Sequence, residues 1–257
     1  MEEVVFIKNR KGLNMAIKLN YSPERTKCVF LEHGLGARKE YPHMKVLEDL
    51  FARHGYNVVN IDACDSNNAS EKSDTGITFT GHYQDLEDVI EWAKTKKFYK
   101  EPFALAGQSL GAQAVVMYAG NYPEKVNLLV PVAFCWIDGK TESLNNSRRK
   151  AIEEQGFFEQ VSKSTGQSIF IKMDYLNDLE QHNMERYIGE IKADTYVLAG
   201  SLDKQYHIEN SKALFDMLNC NKEFVLLEDV PHDLANTPET KAIFEDALQR
   251  ILDENAR

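Results

Sequence analysis

The pentapeptide Gly107-Gln108-Ser109-Leu110-Gly111 is the group of residues best suited to chemistry. A serine between glycines can be presented as a nucleophile, because each glycine admits backbone where a side chain would clash. The pattern alone is weak, since ordinary Gly and Ser usage places it in roughly one chain in ten of this length. Its flanks make it informative. Phe103–Ala106 reads as a strand and Leu110–Tyr122 as an alanine-rich helix ending at Pro123, so Ser109 falls on a sharp strand-to-helix turn. The start of that helix directs its dipole at charge developing on a substrate oxygen. The bland alternative is a glycine-rich turn with an idle serine.

A nucleophilic serine needs a base, and the base needs an orienting acid. His232, in Asp229-Val230-Pro231-His232-Asp233 after the run Phe224–Leu227, is the candidate base. Asp203, in Gly200-Ser201-Leu202-Asp203 after Thr195–Ala199, is the candidate acid. Glu228 and Asp229 compete with it, but lie too close to His232 in sequence to reach around its ring comfortably. Both candidates follow strand-like runs, where open parallel sheets bind ligands. A fourth element, His33-Gly34-Leu35-Gly36, follows Cys28–Leu31. A turn there can aim the Leu35 N–H at a substrate carbonyl together with the N–H of Leu110. His33 itself reads as structural. No His/Asp/Glu cluster has ligand spacing, so no metal is expected.

These residues must be positioned by alternating strands and helices. Val4–Asn9 and Met15–Tyr21 read as a hairpin around Lys11-Gly12. The short apolar runs Cys28–Leu31, Asn57–Ile61, Phe103–Ala106, Asn127–Ala133, Thr195–Ala199 and Phe224–Leu227 suit strands buried on both faces of a mostly parallel sheet. Helical patterns lie at Met44–His54, at His82–Lys97 after the N-cap candidate Thr80, and at Leu110–Tyr122, Glu209–Leu218 and Glu239–Leu252. The fold class is α/β, with about eight strands. From Asp138 to Ile191 no strand is evident, only helices near Arg149–Ser162 and Asp174–Ile188. That segment is expected to be a small helical cap (138–191) inserted into a core formed by 1–137 and 192–257. Its large apolar residues, among them Phe157, Phe158 and Phe170, are expected to pack on the core or line an acyl pocket.

Four features in order, HGLG, GQSLG, the GSLD turn and PHDL, together resemble the α/β-hydrolase superfamily over residues 27 to 235. The likeness is to small bacterial-type carboxylesterases and lipases, including monoacylglycerol-lipase-like and feruloyl-esterase-like enzymes. Gln84-Asp85-Leu86 with Val89-Ile90-Glu91-Trp92 is similar to a helix of that group. The resemblance implies an α/β-hydrolase fold, a mostly parallel eight-stranded sheet flanked by helices. It also implies a cofactor-free serine hydrolase that forms an acyl-enzyme on a small or medium acyl ester. The chain departs from the group at Asp62–Ser70, where relatives carry a Gly-x-Gly-x-Ser loop and this sequence has no glycine. That departure bears on substrate preference rather than on the triad. A thioesterase, amidase or peptidase on the same triad remains open, as does a non-catalytic ligand-binding protein of the same fold.

Composition narrows the partners. With 257 residues and a formal net charge of −10, the chain lacks the clustered cations of a nucleic-acid binder. An acidic surface also slightly disfavours anionic substrates and membranes. The basic run Arg148-Arg149-Lys150 reads as a solvated helix start. Met1-Glu2-Glu3 is acidic where a secretory signal is basic, and no apolar run approaches the roughly 20 residues of a membrane span. The four cysteines are scattered, with Cys28 and Cys135 in apolar runs as core thiols, so a cytosolic protein is expected. Oligomeric state is left open.

Overall fold

A computed structural model describes residues 1–140, 142–161 and 166–255, with the side chains of 142–147, 205 and 206 left aside. Eight strands form one sheet: β1 (Glu2–Lys8), β2 (Asn14–Asn20), β3 (Lys27–Glu32), β4 (Tyr56–Ile61), β5 (Phe103–Gln108), β6 (Val126–Val132), β9 (Asp194–Gly200) and β10 (Lys222–Leu227). Their order is β1-β2-β4-β3-β5-β6-β9-β10. The pairs β1–β2 and β2–β4 are antiparallel and all others parallel. This is the mostly parallel eight-stranded sheet expected from the apolar runs.

Side chains alternate across the pleat, so each central strand feeds two cores. Cys28, Phe30, Phe103 and Leu105 join one cluster, with α2 (Phe79–Ala93), α3 (Leu110–Asn121) and α7 (Gln205–Met217). Val29, Leu31, Ala104 and Ala106 join the other, with α1 (Pro42–Arg53) and α8 (Pro238–Glu254). Burial on both faces explains why these strands read as apolar runs rather than as alternation. The N-cap of α2 is Thr78, not Thr80: its side chain accepts from the Gly81 N–H at 3.0 Å. Thr80 Oγ1 instead lies 2.9 Å from His182 Nε2, tying α2 to the segment between β6 and β9.

That segment differs from expectation. It holds α4 (Glu142–Gln155), an antiparallel hairpin of β7 (Phe158–Val161) and β8 (Ser168–Ile171), then α5 (Met173–Leu179) and α6 (Glu185–Ile188). Helices alone are therefore corrected to helices plus a hairpin, and the first helix begins earlier than Arg149. Gly156, at φ +86°, ends α4 where a long helix was expected to continue.

Backbone packs closely on backbone where α3 meets β3. A Cβ on Gly111 would stand 2.2 Å from the Glu32 carbonyl oxygen, and one on Gly107 would stand 2.4 Å from that of Gly111. Both obstacles are backbone and cannot swing aside. Gly111→Ala is expected to destabilise the fold by about 3 kcal/mol. An unchanged urea midpoint would show that this approach is not required.

Candidate active site

Ser109 sits at the junction of β5 and α3 with φ 56° and ψ −117°. A non-glycine residue there carries strain of order 1–3 kcal/mol. Its N–H donates to the Val132 carbonyl at 2.9 Å, and its side chain makes no capping bond to α3. The hydroxyl is therefore turned away from the helix, into a cavity of about 480 Å³ that His232 and Asp203 also line.

Asp203 and His232 meet directly. His232 Nδ1 lies 2.8 Å from Asp203 Oδ2, with the carboxylate only 1% exposed. The other carboxylate oxygen, Oδ1, accepts from the Lys204 N–H at 2.7 Å and lies 2.8 Å from His207 Nδ1. Burial pushes the Asp203 carboxyl up, but hydrogen bonds from His207 and His232 outweigh it and hold the group well below the usual carboxylate range. His207, lowered by its own burial, was missed in the sequence. The signal was present: Asp203 and His207 are four residues apart at the start of α7, the spacing that places side chains on one helical face.

Gln108 faces one nitrogen of the His232 ring. Its Nε2 donates, so His232 Nε2, 3.2 Å away, is assigned as the acceptor and Nδ1 as the N–H facing Asp203. Ser109 Oγ lies 3.2 Å from Cys135 Sγ, and a Ser109–His232 hydrogen bond is not among those of the described residues. The serine thus shares the cavity with the histidine while resting against a thiol. Cys135 follows β6 and is buried as expected of a core thiol, but its place beside Ser109 was not foreseen. Cys135 Sγ and one ring nitrogen each of His207 and His232 lie within 4.8 Å of one another, a ligand-type group that sequence spacing does not reveal. Burial pushes the Cys135 thiol up to about 12.

The backbone donors are also placed. Among the described residues, neither the Leu35 nor the Leu110 N–H has a hydrogen-bond acceptor, and both residues line the cavity. Gly34 allows this, since a Cβ there would stand 2.5 Å from Gln108 Oε1 and 3.1 Å from Ser109 Cβ. The buried Gln113 amide, with its oxygen toward β6, accepts from the N–H groups of Cys135 (2.7 Å) and Trp136 (3.0 Å) and donates to the Ser109 carbonyl.

Comparison with known proteins bears on the fold. A family model described as alpha/beta hydrolase fold matches residues 27–149. Est1E from Butyrivibrio proteoclasticus, solved with ferulic acid bound, superposes with a TM-score of 0.75 at 17% identity, covering 96% of this chain and 99% of that one. The chain has the α/β-hydrolase fold. A monoacylglycerol lipase from Paleococcus ferrophilus gives a TM-score of 0.72 at 19% identity, over 93% of this chain and 98% of that one. A putative hydrolase from Agrobacterium vitis gives 0.80 at 17% identity, over 98% and 99%. A search of curated proteins by sequence found no match.

In this α/β hydrolase fold the turn after β3 rests on a buried polar group. The Ala63 N–H donates to His33 Nε2 at 3.0 Å, so Nδ1 carries the hydrogen and donates to the Gly34 carbonyl at 2.7 Å. His33 is thus used up structurally. Behind it, His82 Nε2 lies 2.9 Å from the His33 carbonyl and 2.8 Å from Glu32 Oε1. Burial holds His82 down at about 4 and Glu32 well above the carboxylate range, so this contact joins two neutral groups rather than an ion pair. His43, in the cavity wall, has no hydrogen-bond partner on either ring nitrogen among the described residues. Burial, with the neighbouring His232, holds it down at about 3.

The sign of the resulting pH effect follows. Above 6.5 His43 is neutral in both folded and unfolded chains. As pH falls from there towards about 3, the unfolded chain binds a proton that the folded chain refuses, and stability drops. His43→Leu should make the loss of stability from neutral to mildly acidic pH shallower, by at most about 1.4 kcal/mol per pH unit. Denaturant titrations at several pH values measure this, and parallel curves for the two proteins would refute it.

Proposed function

We propose that the chain is a serine-dependent carboxylic ester hydrolase acting through an acyl-enzyme on small or medium acyl esters. The observation that carries this reading is the 2.8 Å bond from His232 Nδ1 to buried Asp203, at a cavity into which Ser109 is turned by a strained backbone. Ser109 is the nucleophile, His232 the base and Asp203 the acid that fixes its tautomer and stabilises its charged form. The N–H groups of Leu35 and Leu110 receive the oxyanion. Gly34, Gly107 and Gly111 let the three backbone segments close around it.

The steps follow from these positions. An incoming ester displaces the Gln108 amide from His232 Nε2, and Ser109 Oγ turns from Cys135 to that nitrogen. His232 takes the hydroxyl proton as Oγ bonds to the carbonyl carbon, then gives it to the departing alcohol. A water loses its proton to the same nitrogen and releases the acid, restoring Ser109.

Segment 138–191 acts as the cap over a core of 1–137 and 192–257. Phe158, Ile169, Tyr175 and Leu179 from it line the cavity, which supports a role in limiting acyl length. Among the described residues no helix is long and apolar enough to cross a membrane. All four cysteines are free thiols, which favours a reducing compartment such as the cytosol.

Ser109→Ala should lower turnover of a p-nitrophenyl ester series by at least about 10⁴-fold and abolish fluorophosphonate labelling, with the melting temperature preserved. Retained serine-independent hydrolysis would overturn the assignment. Labelling of Ser109 without turnover of any ester would move the leaving group to a thiolate or amine, tested next on thioesters and amides.

A further inference from the structure

The basic run Arg148-Arg149-Lys150 is not simply a solvated helix start. It lies within α4, and its three cations point to three different places. Lys150 is exposed, 4.0 Å from Glu154 on the same helix. Arg149 pairs with Glu180 of the same inserted segment. Arg148 faces the cavity that contains Ser109. Its Nη2 donates to Gln160 Oε1 at 3.3 Å, and its guanidinium lies 5.5 Å from the centre of the Phe158 ring. Both partners belong to the β7 strand, so helix and hairpin together hold the planar fork in place.

What Arg148 lacks is an acid. Among the described residues no carboxylate pairs with it, and its single side-chain acceptor is a neutral amide. A guanidinium has five N–H donors, and a half-buried charge in a partly apolar wall is poorly solvated unless an anion answers it. The charge also reaches the reaction centre. Burial and then Asp203 raise the Cys135 thiol, while the bond to Ser109 and, more weakly, Arg148 act the other way. Cys135 Sγ is in turn 3.2 Å from Ser109 Oγ.

We propose that the cavity takes esters that carry a carboxylate, bound by the Arg148 guanidinium while the ester carbonyl sits at Ser109. This rests on the ester-hydrolase reading above. A single guanidinium matches one carboxylate through two parallel hydrogen bonds. A dianion would leave charge unbalanced in a chain whose net charge is already −10. The same acidic surface that disfavours anions in general makes a local cation necessary for selecting one.

The test compares matched esters that differ only in charge. The 4-nitrophenyl monoester of glutaric acid is set against 4-nitrophenyl pentanoate for the acyl side. For the alcohol side, 4-acetoxybenzoate is set against 4-acetoxybenzamide. In one pair at least, the charged member should have the higher kcat/KM, by about tenfold or more, and Arg148→Gln should erase that preference. Arg148→Lys, which keeps charge but not the fork, should restore part of it. Absence of any preference in the wild type, or a preference that survives Arg148→Gln, overturns the subsite and leaves the ester hydrolase standing. Calorimetry with monomethyl glutarate on Ser109→Ala protein reads the subsite without turnover. Binding should weaken about tenfold when Arg148→Gln is added. Equal binding in the two proteins, or none in either, refutes the proposal whether or not any ester is cleaved.

Discussion

The contact on which the site depends is the approach of backbone to backbone at the start of α3. With a Cβ on Gly111 only 2.2 Å from the Glu32 carbonyl, the first turn of the helix and the end of β3 leave no room for a side chain between them. The turn carrying Leu35 begins at that same strand end. Gly34 then brings it against Gln108 and Ser109. One interlock therefore sets the hydroxyl and both N–H groups relative to one another, without any of them sitting on a long loop. The strained φ of 56° at Ser109 is tolerated because its neighbours leave it no alternative. Its N–H is held by Val132, its carbonyl by Gln113, and its flanking glycines by backbone.

Electrostatics supplies the second half of the site, and Asp203 is its centre. Both carboxylate oxygens are occupied: one faces His232, and the other takes His207 and the Lys204 N–H. A carboxylate gripped on both sides cannot rotate away from His232, and the same hydrogen bonds hold its pKa below the usual carboxylate range. His207 therefore works through Asp203, as a positioning residue. A lone Asp–His pair would leave the acid free to turn.

The sheet was legible because its strands are buried on both faces, which makes each an unbroken apolar run between polar connections. Phe103–Ala106 and Asn57–Ile61 could be read directly for that reason. The hairpin of β7 and β8 escaped notice because its two strands have four residues each and expose Val161 and Phe170, so burial alternates along them while apolar residue type does not. Ser109, Asp203 and His232 could be named as candidates from their positions after strand-like runs, and the structure brings Asp203 and His232 together at the cavity that Ser109 lines. Cys135 could not be named, because an apolar run gives no sign of which residue its last side chain will face across the sheet. Arg148 shows the opposite failure. Three adjacent cations look like a solvated face, and only the packing of α4 against the hairpin shows that one of them is turned inward.

The resting arrangement around Ser109 bears on how readily the site can act. Two contacts must be exchanged before Ser109 reaches His232: its own with Cys135 Sγ, and that of the Gln108 amide with His232 Nε2, both 3.2 Å long. Burial keeps Cys135 a thiol, and the Gln108 amide is the donor to His232 Nε2. Neutral hydrogen bonds contribute about 1 kcal/mol each, and thiol contacts less. A new Ser109–His232 bond recovers much of what is given up, and the freed Gln108 amide still reaches the His232 carbonyl at 3.3 Å. The exchange is thus nearly balanced in energy. On the proposed hydrolase reading, a substrate that seats its carbonyl against Leu35 and Leu110 needs only a small differential affinity to tip it, so the resting contacts order the cavity without locking it.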